Sequence, residues 1–309
     1  MRTAYLSALH HLTKANKDIL ALISDNGAIV YDWYRAEFPD NYFNFGISEA
    51  NMVAAAAGLA SCGKIPFAYT ISGFLTMRAF EFVRNDVCLQ NQNVKLVGTG
   101  AGFSYSTLGP THHATEDITL MRVLPNLTIF SPASPMEVRK ATIEAAKMKG
   151  PVYIRLGTNK EPEIYNSDYD FIVGKGVRLL NGLDLAIITT GSIAYDVLQA
   201  ASELREEEIS VRVINIHTIK PLDKEIILKA AEETGRVITV EEHNINGGLG
   251  SAVAETLLEG GCSSIVFERM GLKDSFCKGY GSHQYLKSLN RLSKEDIKSK
   301  IREVISRKK

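Results

Sequence analysis

One carboxylate stands at the start of a segment that is otherwise small and apolar. Glu49 opens the run EANMVAAAAGLASCG, residues 49–63, whose alanines and glycines are typical of a buried helix. An ionised carboxylate that is buried without a partner costs several kcal/mol. Either Glu49 is an ordinary acid in a first helical turn, with Ser48 as the N-cap and the helix dipole favouring its charge, or it has a partner that the sequence does not contain.

Two adjacent histidines, His112 and His113, mark a second candidate segment. The loop GTGAGFSYSTLGPTHH, residues 98–113, follows a predicted strand and is rich in Gly, Ser and Thr. Long loops at the carboxyl ends of parallel strands are where α/β proteins bind ligands. The two imidazoles could serve as acids, bases or hydrogen-bonding groups near neutral pH, and a solvated surface loop is the alternative. A metal site is not expected, because Glu116 alone does not complete a ligand set.

A glycine-rich turn in the second half is the third candidate. The segment EEHNINGGLGSAVAE, residues 241–255, follows a predicted strand and opens a helix, as dinucleotide-binding turns do. Val253 occupies the place of the third glycine, so the match is partial and tight packing of helix against strand is the better interpretation. His217, in the strand-like run INIHTI, is expected to be a hydrogen-bonded structural histidine.

These candidates lie on two series of alternating strands and helices. The strand-like runs of the first series are continuous and apolar, as strands buried in a parallel sheet are; they are DILALIS (18–24), IPFAYTI (65–71), NVKLVGTG (93–100), LTIFSP (127–132) and PVYIRLG (151–157). Helix-like segments separate them, and Ser134 and Pro135 mark the start of the last one. Such alternation predicts right-handed crossovers on a parallel sheet.

A polar stretch without a clear period, about residues 160–176, separates the two series. Alternation then resumes in strand-like runs with helix-like segments between them; the runs are LDLAIITTG, ISVRVINIHTI, RVITVEEH and SSIVFER. The sequence therefore predicts an α/β protein with two doubly wound domains in series, residues 1–165 and 176–309.

The composition argues against several classes of function. The 309 residues carry 35 basic and 35 acidic side chains, which does not suit a nucleic-acid-binding protein or a polybasic membrane binder. The apolar runs are shorter than the ~18–20 residues of a membrane helix, and the N-terminus has no signal-peptide pattern. The cysteines form no CxxC pair and are expected to be reduced. We therefore expect a cytoplasmic protein that binds neither nucleic acid nor membrane.

Six segments, taken together and in order, resemble the transketolase family of thiamine diphosphate enzymes. They cover nearly the whole chain and read FNFGISEANMVAAAAGLASCGKIPF, RAFEFVRNDV, GPTHHATEDITLMRVLPNLTIFSPASPMEV, GPVYIRLG, INIHTIKPLD and EEHNINGGLGSAVAE. The chain looks most like the separately encoded C-terminal half of a split transketolase. The resemblance implies a pyrimidine-type thiamin diphosphate-binding fold followed by a transketolase C-terminal-like domain.

The resemblance also implies a partner subunit. In this family the diphosphate and its Mg²⁺ are held by a further domain with a GDG…N motif, and this sequence contains no GDG. The chain then supplies half of the cofactor site and no metal ligand, and an N-terminal subunit supplies the rest. We expect an assembly, a heterotetramer built on a dimer of this chain, that is active only when both subunits are present.

The same resemblance gives Glu49 a partner and a catalytic role. Its position matches the glutamate that hydrogen-bonds the ring nitrogen of the cofactor's aminopyrimidine. The cofactor's imino group can remove the thiazolium C2 proton only in the imino tautomer. A carboxyl group held against the ring nitrogen in a dry site promotes that tautomer. Asp25, in ISDNG, matches an acid near the cofactor at the subunit boundary.

Other positions match the family residue by residue. Phe74 corresponds to an aromatic residue that stacks on the pyrimidine, and Ile71 to a neighbouring aromatic position, where it keeps the contact apolar. His112 corresponds to a catalytic histidine that faces the reactive carbon and the substrate, and His113 beside it is a candidate substrate contact. Arg2 corresponds to an arginine that helps to hold a sugar phosphate.

Four departures from the family pattern bear on the substrate. Leu108 replaces an Asp that contacts a substrate hydroxyl, and Gly100 replaces an earlier loop histidine. Thr158 and Ile29 stand where a phosphate-binding arginine and serine are expected. Phosphate recognition needs several charge-assisted donors, of which arginine is the best. We therefore expect transfer of a two-carbon ketol unit on a modified or non-phosphorylated sugar or keto substrate.

Three alternatives stay open on the sequence alone. The chain could belong to a 1-deoxyxylulose-5-phosphate synthase, although that enzyme is normally a single chain, or could be the β subunit of a 2-oxoacid dehydrogenase E1. It could also be a catalytically silent half. Retention of Glu49, Phe74 and His112 argues against the silent half.

Overall fold

The structure, a computed structural model, describes residues 1–158 and 160–307, and only the backbone of Ala28 and Ile29. The strands in chain order are β1 (Ile19–Ile23), β2 (Tyr42–Asn44), β3 (Ile65–Ile71), β4 (Lys95–Thr99), β5 (Thr128–Phe130), β6 (Val152–Leu156), β7 (Val177–Leu180), β8 (Leu185–Thr189), β9 (Val211–Asn215), β10 (Thr218–Lys220), β11 (Arg236–Asn244) and β12 (Val266–Leu272). The helices are α1 (Arg2–Ala15), α2 (Asp32–Glu37), α3 (Glu49–Ser61), α4 (Phe80–Phe82), α5 (Asp117–Arg122), α6 (Pro135–Lys147), α7 (Ala194–Glu203), α8 (Lys224–Thr234), α9 (Leu249–Glu259), α10 (His283–Leu289) and α11 (Lys294–Ser306).

The first sheet has seven strands in the order β10-β5-β6-β4-β3-β1-β2. All pairs are parallel except β10 with β5. Helices α1 and α6 bury their apolar residues on one face of this sheet. Helix α3 and a π-helical segment, Val83–Leu89, do so on the other face. Residues of β1 alternate between these two faces, and β1, β3, β4 and β6 are almost entirely buried. The predicted doubly wound arrangement is confirmed for this half.

The second sheet has five strands in the order β12-β11-β8-β9-β7, parallel except for β7 with β9. Helices α7 and α11 pack on one face, and α8 and α9 on the other. One apolar cluster contains residues of both halves, so the two sheets share part of their core. The predicted fold class, two doubly wound α/β layers in series, is confirmed.

Local departures from the sequence prediction concern edges and junctions. The run predicted as a single strand, ISVRVINIHTI, contains β9 and most of β10, and β10 leaves its own half to pair antiparallel with β5. The edge strands β2 and β7 were not predicted. The polar stretch around residues 160–176 contains no helix or strand among its described residues, and the domain limits themselves stay a prediction. In the part of the chain that is described, no helix has the length and apolarity to cross a membrane.

Candidate active site

Glu49 is the first residue of α3, and it is buried, with 4% of its surface exposed. Ser48 stands at the N-cap, as expected, although its side chain makes no capping hydrogen bond. The backbone before the helix is held instead by Ser24, whose Oγ accepts from the amide of Ser48 (3.1 Å) and donates to the carbonyl of Gly46 (2.7 Å). The end of β1 thus fixes the turn that delivers Glu49 to the positive end of α3, where a carboxylate is favoured.

Asp25 lies beside the same turn. Its amide donates to Oδ1 of Asn44 (3.2 Å), and its own Oδ1 accepts from Nδ2 of Asn44 (3.3 Å). Its φ of 48° is in the left-handed region, which asparagine and aspartate enter more readily than other side chains. The structure therefore places Asp25 near the backbone that leads to Glu49, at the carboxyl edge of the sheet.

Arg78 joins Glu49 to Phe74. Its Nη1 lies 3.4 Å from both carboxylate oxygens of Glu49, and its guanidinium carbon lies 3.7 Å from the centre of the Phe74 ring. Half of the Arg78 side chain is exposed, whereas the Glu49 side chain that it contacts is only 5% exposed. Phe74 and Arg78 belong to a π-helical segment, Phe74–Arg78, and such segments are frequent at functional sites.

His112 completes a row of contacts that runs from Glu49 through Arg78 and Phe74. Its ring centre is 5.2 Å from that of Phe74, with the planes at 62°, and 6.4 Å from that of Tyr105. Ile71 ends β3, three residues before Phe74, and is buried. The structure thus gathers Glu49, Phe74 and His112, which the sequence singled out, although they are far apart along the chain.

His113 is buried beside the row rather than in it. Its ring meets that of Phe103 edge-on at 5.4 Å, and its Nε2 has no hydrogen-bond partner among the described residues. Burial lowers the pKa of His113, and the nearby carboxylate of Glu242 only partly opposes this. A substrate contact by His113 stays a prediction.

A cleft of about 570 Å³, a size typical of ligand pockets, opens beside Phe74 and Arg78. It is lined by Gly73, Phe74, Met77, Arg78, Pro110, Thr111, His113, Glu116, Leu120 and Phe276. Glu49 contacts Arg78 and His112 contacts Phe74, but neither of them lines the cleft itself. Met77 and Phe276 at its margin are 44% and 74% exposed. A flat apolar ring beside a buried carboxylate suits an aminopyrimidine. The described residues contain no group of three His, Cys, Asp or Glu side chains that could hold a metal ion.

Arg2 lies on the other face of the first sheet, in the first turn of α1. It is close to the hydroxyl of Tyr69, a buried residue of β3. Burial raises the pKa of Tyr69 to about 12, although the nearby Thr99 hydroxyl and the charge of Arg2 act in the opposite direction. A role of Arg2 in binding a phosphate stays a prediction.

The departures from the family pattern have visible consequences. Gly100 has a φ of 88°, and a Cβ there would lie 2.3 Å from the Tyr105 ring, so this ring fills the place of a side chain at position 100. Leu108 is 48% exposed. Thr158 donates from Oγ1 to the carbonyl of Ser104 (3.4 Å). The side chain of Ile29 lies outside the described residues.

The two weaker sequence candidates have structural roles. The carboxylate of Glu241 accepts from the amides of Leu249 and Gly250, both at 2.7 Å, and so occupies the N-terminus of α9 where a phosphate of a nucleotide would bind. His217 is buried, with Nδ1 2.8 Å from Oγ1 of Thr218. Burial lowers its pKa to about 4. The prediction of a hydrogen-bonded structural histidine is confirmed.

Sequence reasoning missed Arg78 and Glu242. Arg78 stands in RAFEFVRNDV and Glu242 in EEHNINGG, segments that contributed to the resemblance without either side chain receiving a role. A charged residue inside a segment that resembles a family is a usable signal, but which carboxylate or loop it contacts depends on the folded chain.

Comparison with known proteins places this geometry in a family. Residues 1–162 match the family described as transketolase, pyrimidine binding domain, and residues 174–301 match transketolase, C-terminal domain. The chain is 45% identical over 238 residues to a subunit of the apulose-4-phosphate transketolase of Actinobacillus succinogenes (77% of this chain, 76% of that protein). It is 35% identical over 309 residues to the 6-deoxy-6-sulfo-D-fructose transketolase subunit SqwH of a Clostridium species (100% and 95%).

A solved structure of a split gene transketolase, an inactive beta4 tetramer, has the same fold. Its TM-score is 0.89 at 38% identity, and the match covers 100% of this chain and 98% of that one. The match extends over both sheets, and the family models cover more than half of the sequence. This chain therefore belongs to the transketolase family, as a C-terminal section with the pyrimidine-binding and C-terminal domains.

Proposed function

We propose that this chain is the C-terminal subunit of a split, thiamine diphosphate-dependent transketolase that transfers a two-carbon ketol unit on a non-standard sugar or keto substrate. The observation that carries the proposal is the buried carboxylate of Glu49 at the start of α3, in one row with Phe74 and His112. A helix acid with a purely structural role would not need to be linked, through Arg78, to an aromatic ring that lines a cleft and contacts an imidazole.

Each of the three side chains has a separate task. Phe74 offers a flat apolar face for a heterocycle. Glu49 would hold the pyrimidine ring nitrogen through a hydrogen bond, which the burial of the carboxylate would strengthen. His112 faces the substrate and exchanges a hydrogen bond or proton with it. When bound, thiamine diphosphate supplies the carbon nucleophile that carries the two-carbon unit.

The proposal includes a partner subunit. The described residues contain no group of three His, Cys, Asp or Glu side chains that could hold a metal ion, and we assign the diphosphate and Mg²⁺ to an N-terminal subunit. The cleft is bordered by exposed apolar side chains, Met77 and Phe276, which suit a surface that another chain covers. Relatives are named as subunits, and the related beta4 tetramer is described as inactive. We infer a heterotetramer that contains two copies of this chain and acts in the cytoplasm, in carbohydrate metabolism.

The substrate is proposed to differ from an ordinary pentose phosphate. Leu108 leaves an apolar surface, Tyr105 fills the place of a side chain at Gly100, and Thr158 is tied to a backbone carbonyl. These changes remove charge and hydrogen-bond donors from the substrate side of the site. The two relatives named for an apulose phosphate and a sulfo-fructose support an altered sugar. A terminal group other than the usual phosphate is one form of that alteration.

The test is reconstitution. This chain is mixed with an N-terminal transketolase subunit that carries a GDG motif, together with thiamine diphosphate and Mg²⁺, and ketol transfer is followed by sugar chromatography. We expect no transfer by either chain alone, transfer by the mixture, and slow conversion of xylulose 5-phosphate with ribose 5-phosphate. Transfer by this chain alone would overturn the split architecture, and rapid conversion of the pentose phosphates would overturn the substrate proposal.

A further inference from the structure

The loop that carries His112 and His113 closes on itself. Residues 102–114, here called the histidine loop, begin and end in an isolated antiparallel bridge between Gly102 and Ala114. Each of these two residues donates its amide to the carbonyl of the other at 3.0 Å. Such a bridge, here called the neck of the loop, has only two hydrogen bonds. The position of the loop therefore depends on the contacts that hold the neck.

The end of β11, in the second half of the chain, holds this neck from outside. The amide of Phe103 donates to Oε1 of Glu242 at 2.5 Å, and the amide of Asn244 donates to the carbonyl of Thr115 at 2.8 Å. Gly102 makes the approach possible, because a Cβ there would lie 2.3 Å from Oε1 of Glu242. A hydrogen bond from a backbone amide to a buried carboxylate is charge-assisted and stronger than a neutral one.

The Glu242 carboxylate is itself held by the second half. Nε2 of His283, at the start of α10, lies 2.8 and 2.9 Å from its two oxygens. Burial alone would raise the pKa of Glu242, but the charge and hydrogen bond of His283, with Lys287, bring this pKa below its usual value. Lys287 is in turn paired with Asp196 of α7 at 2.5 Å. The group that meets the histidine loop is therefore an ionised carboxylate.

A buried arginine supports the other side of the neck. Nη2 of Arg155 donates to the carbonyl of Ala114 (3.0 Å) and to the carbonyl of Glu242 (3.1 Å), and its Nε donates to Oδ2 of Asp117 (2.8 Å). Arg155 thus ties the backbone of β11 to the end of the histidine loop. Both ends of the loop are fixed to one strand of the C-terminal sheet.

We propose that Glu242, held by His283, is a positioning residue through which the C-terminal half of the chain fixes the histidine loop and so the place of His112 in the site. The proposal rests on the proposed function, since it assumes that His112 acts on the substrate. A misplacement of about 1 Å at a reacting group can cost about 100-fold in rate. The C-terminal half then contributes to turnover although it contains none of the residues in the row Glu49, Phe74 and His112.

The test compares two buried glutamates that are neighbours in sequence. Glu242→Leu removes the acceptor of the Phe103 amide, and Glu242→Gln keeps an acceptor without its charge. Glu241→Leu is the matched control, because Glu241 caps α9 and has no hydrogen bond to the histidine loop. The full chain is assembled with its N-terminal subunit, and three quantities are measured: kcat, the Kd of thiamine diphosphate, and hydrogen exchange of the Phe103 amide.

We expect Glu242→Leu to lower kcat by about 30- to 100-fold with the cofactor Kd unchanged, and to abolish protection of the Phe103 amide. Glu242→Gln should lower kcat by about 3-fold and make hydrogen exchange of the Phe103 amide about 10-fold faster. If Glu242→Leu does not fold, Glu242→Gln decides whether Glu242 positions the histidine loop. An unchanged kcat and unchanged exchange in Glu242→Gln would overturn the proposal. An equal loss of kcat in Glu241→Leu would do the same. If the wild-type assembly has no turnover, the proposed function fails and amide exchange alone decides whether Glu242 holds the loop.

Discussion

Replacement of Glu49 by glutamine removes one proton-exchanging group and little else. The glutamine side chain has the same size, and the helix start around it is held by Ser24 rather than by the side chain at position 49. The change removes the stabilisation that a negative charge gains at a helix N-terminus, which lowers the free energy of unfolding by less than about 1 kcal/mol. It also removes the ion pair with Arg78, which is half exposed and therefore contributes less than about 1 kcal/mol. A domain with a stability of about 5–15 kcal/mol stays folded after such losses.

The effect on catalysis should be much larger than the effect on folding. A positioned acid or base contributes about 10²- to 10⁴-fold to a rate, so Glu49→Gln should lower kcat by about 100-fold or more. A 100-fold loss corresponds to about 2.7 kcal/mol in the activation barrier. The Kd of thiamine diphosphate should rise by less than about 10-fold, since the amide can still form one neutral hydrogen bond to the ring.

The assay is ketol transfer by the reconstituted assembly, with thermal unfolding measured on the same samples. Glu81→Gln, an exposed carboxylate in α4, is the control and should keep kcat within about 2-fold of wild type. A kcat for Glu49→Gln within 3-fold of wild type, with the cofactor bound, would refute the reasoning about Glu49. A loss of kcat accompanied by unfolding would show that the side chain is structural.

Three further outcomes follow from contacts around the cleft and the buried histidine. Phe74→Ala should weaken thiamine diphosphate binding by about 10-fold and Phe74→Tyr by less than 2-fold, measured by calorimetry; equal effects would remove the stacking role. Arg78→Met should tighten cofactor binding by about 3-fold, because the guanidinium covers Phe74 and pairs with Glu49 before the cofactor arrives; weaker binding would contradict this. His217 has a pKa of about 4 in the folded chain, so its contribution to stability is present above the unfolded-state value of about 6.5 and is lost as the pH falls towards 4. The free energy of unfolding, measured with urea, should therefore fall between pH 7.5 and pH 5 by about 2 kcal/mol more in wild type than in His217→Gln. An equal fall in the two proteins would contradict the lowered pKa of His217.

The parts of the fold that the sequence predicted are those with strong local signals. The continuous apolar runs of β1, β3, β4 and β6 indicated buried parallel strands, and all four occupy adjacent central places in the first sheet. The separation of β9 from β10 was not predictable, because no glycine or proline marks it. It occurs because the chain crosses to pair with β5, almost 90 residues earlier, which is a long-range interaction. Strand β2 has only three residues, partly exposed at a sheet edge, and so has no clear pattern.

The site shows the same division between local and long-range information. Glu49 and His112 were found because each stands in a segment that resembles a family, and Phe74 because its position matches a family residue; the structure brings the three together. The pairing of Arg78 with Glu49 joins residues 29 positions apart, and that of Glu242 with Phe103 joins residues 139 apart. Neither pairing follows from periodicity or composition. The buried Glu242 carboxylate is visible in the sequence only as one of two adjacent acids before a histidine.

The most direct test of the central claim is the binding of thiamine diphosphate by each chain and by both. Titration calorimetry with Mg²⁺ is carried out on this chain, on the N-terminal subunit and on their mixture. We expect saturable one-to-one binding per pair of chains in the mixture, and binding at least about 100-fold weaker by this chain alone, because the proposed function assigns the diphosphate and Mg²⁺ to the N-terminal subunit. Equally tight binding by this chain alone, or no binding by the mixture, would contradict that assignment.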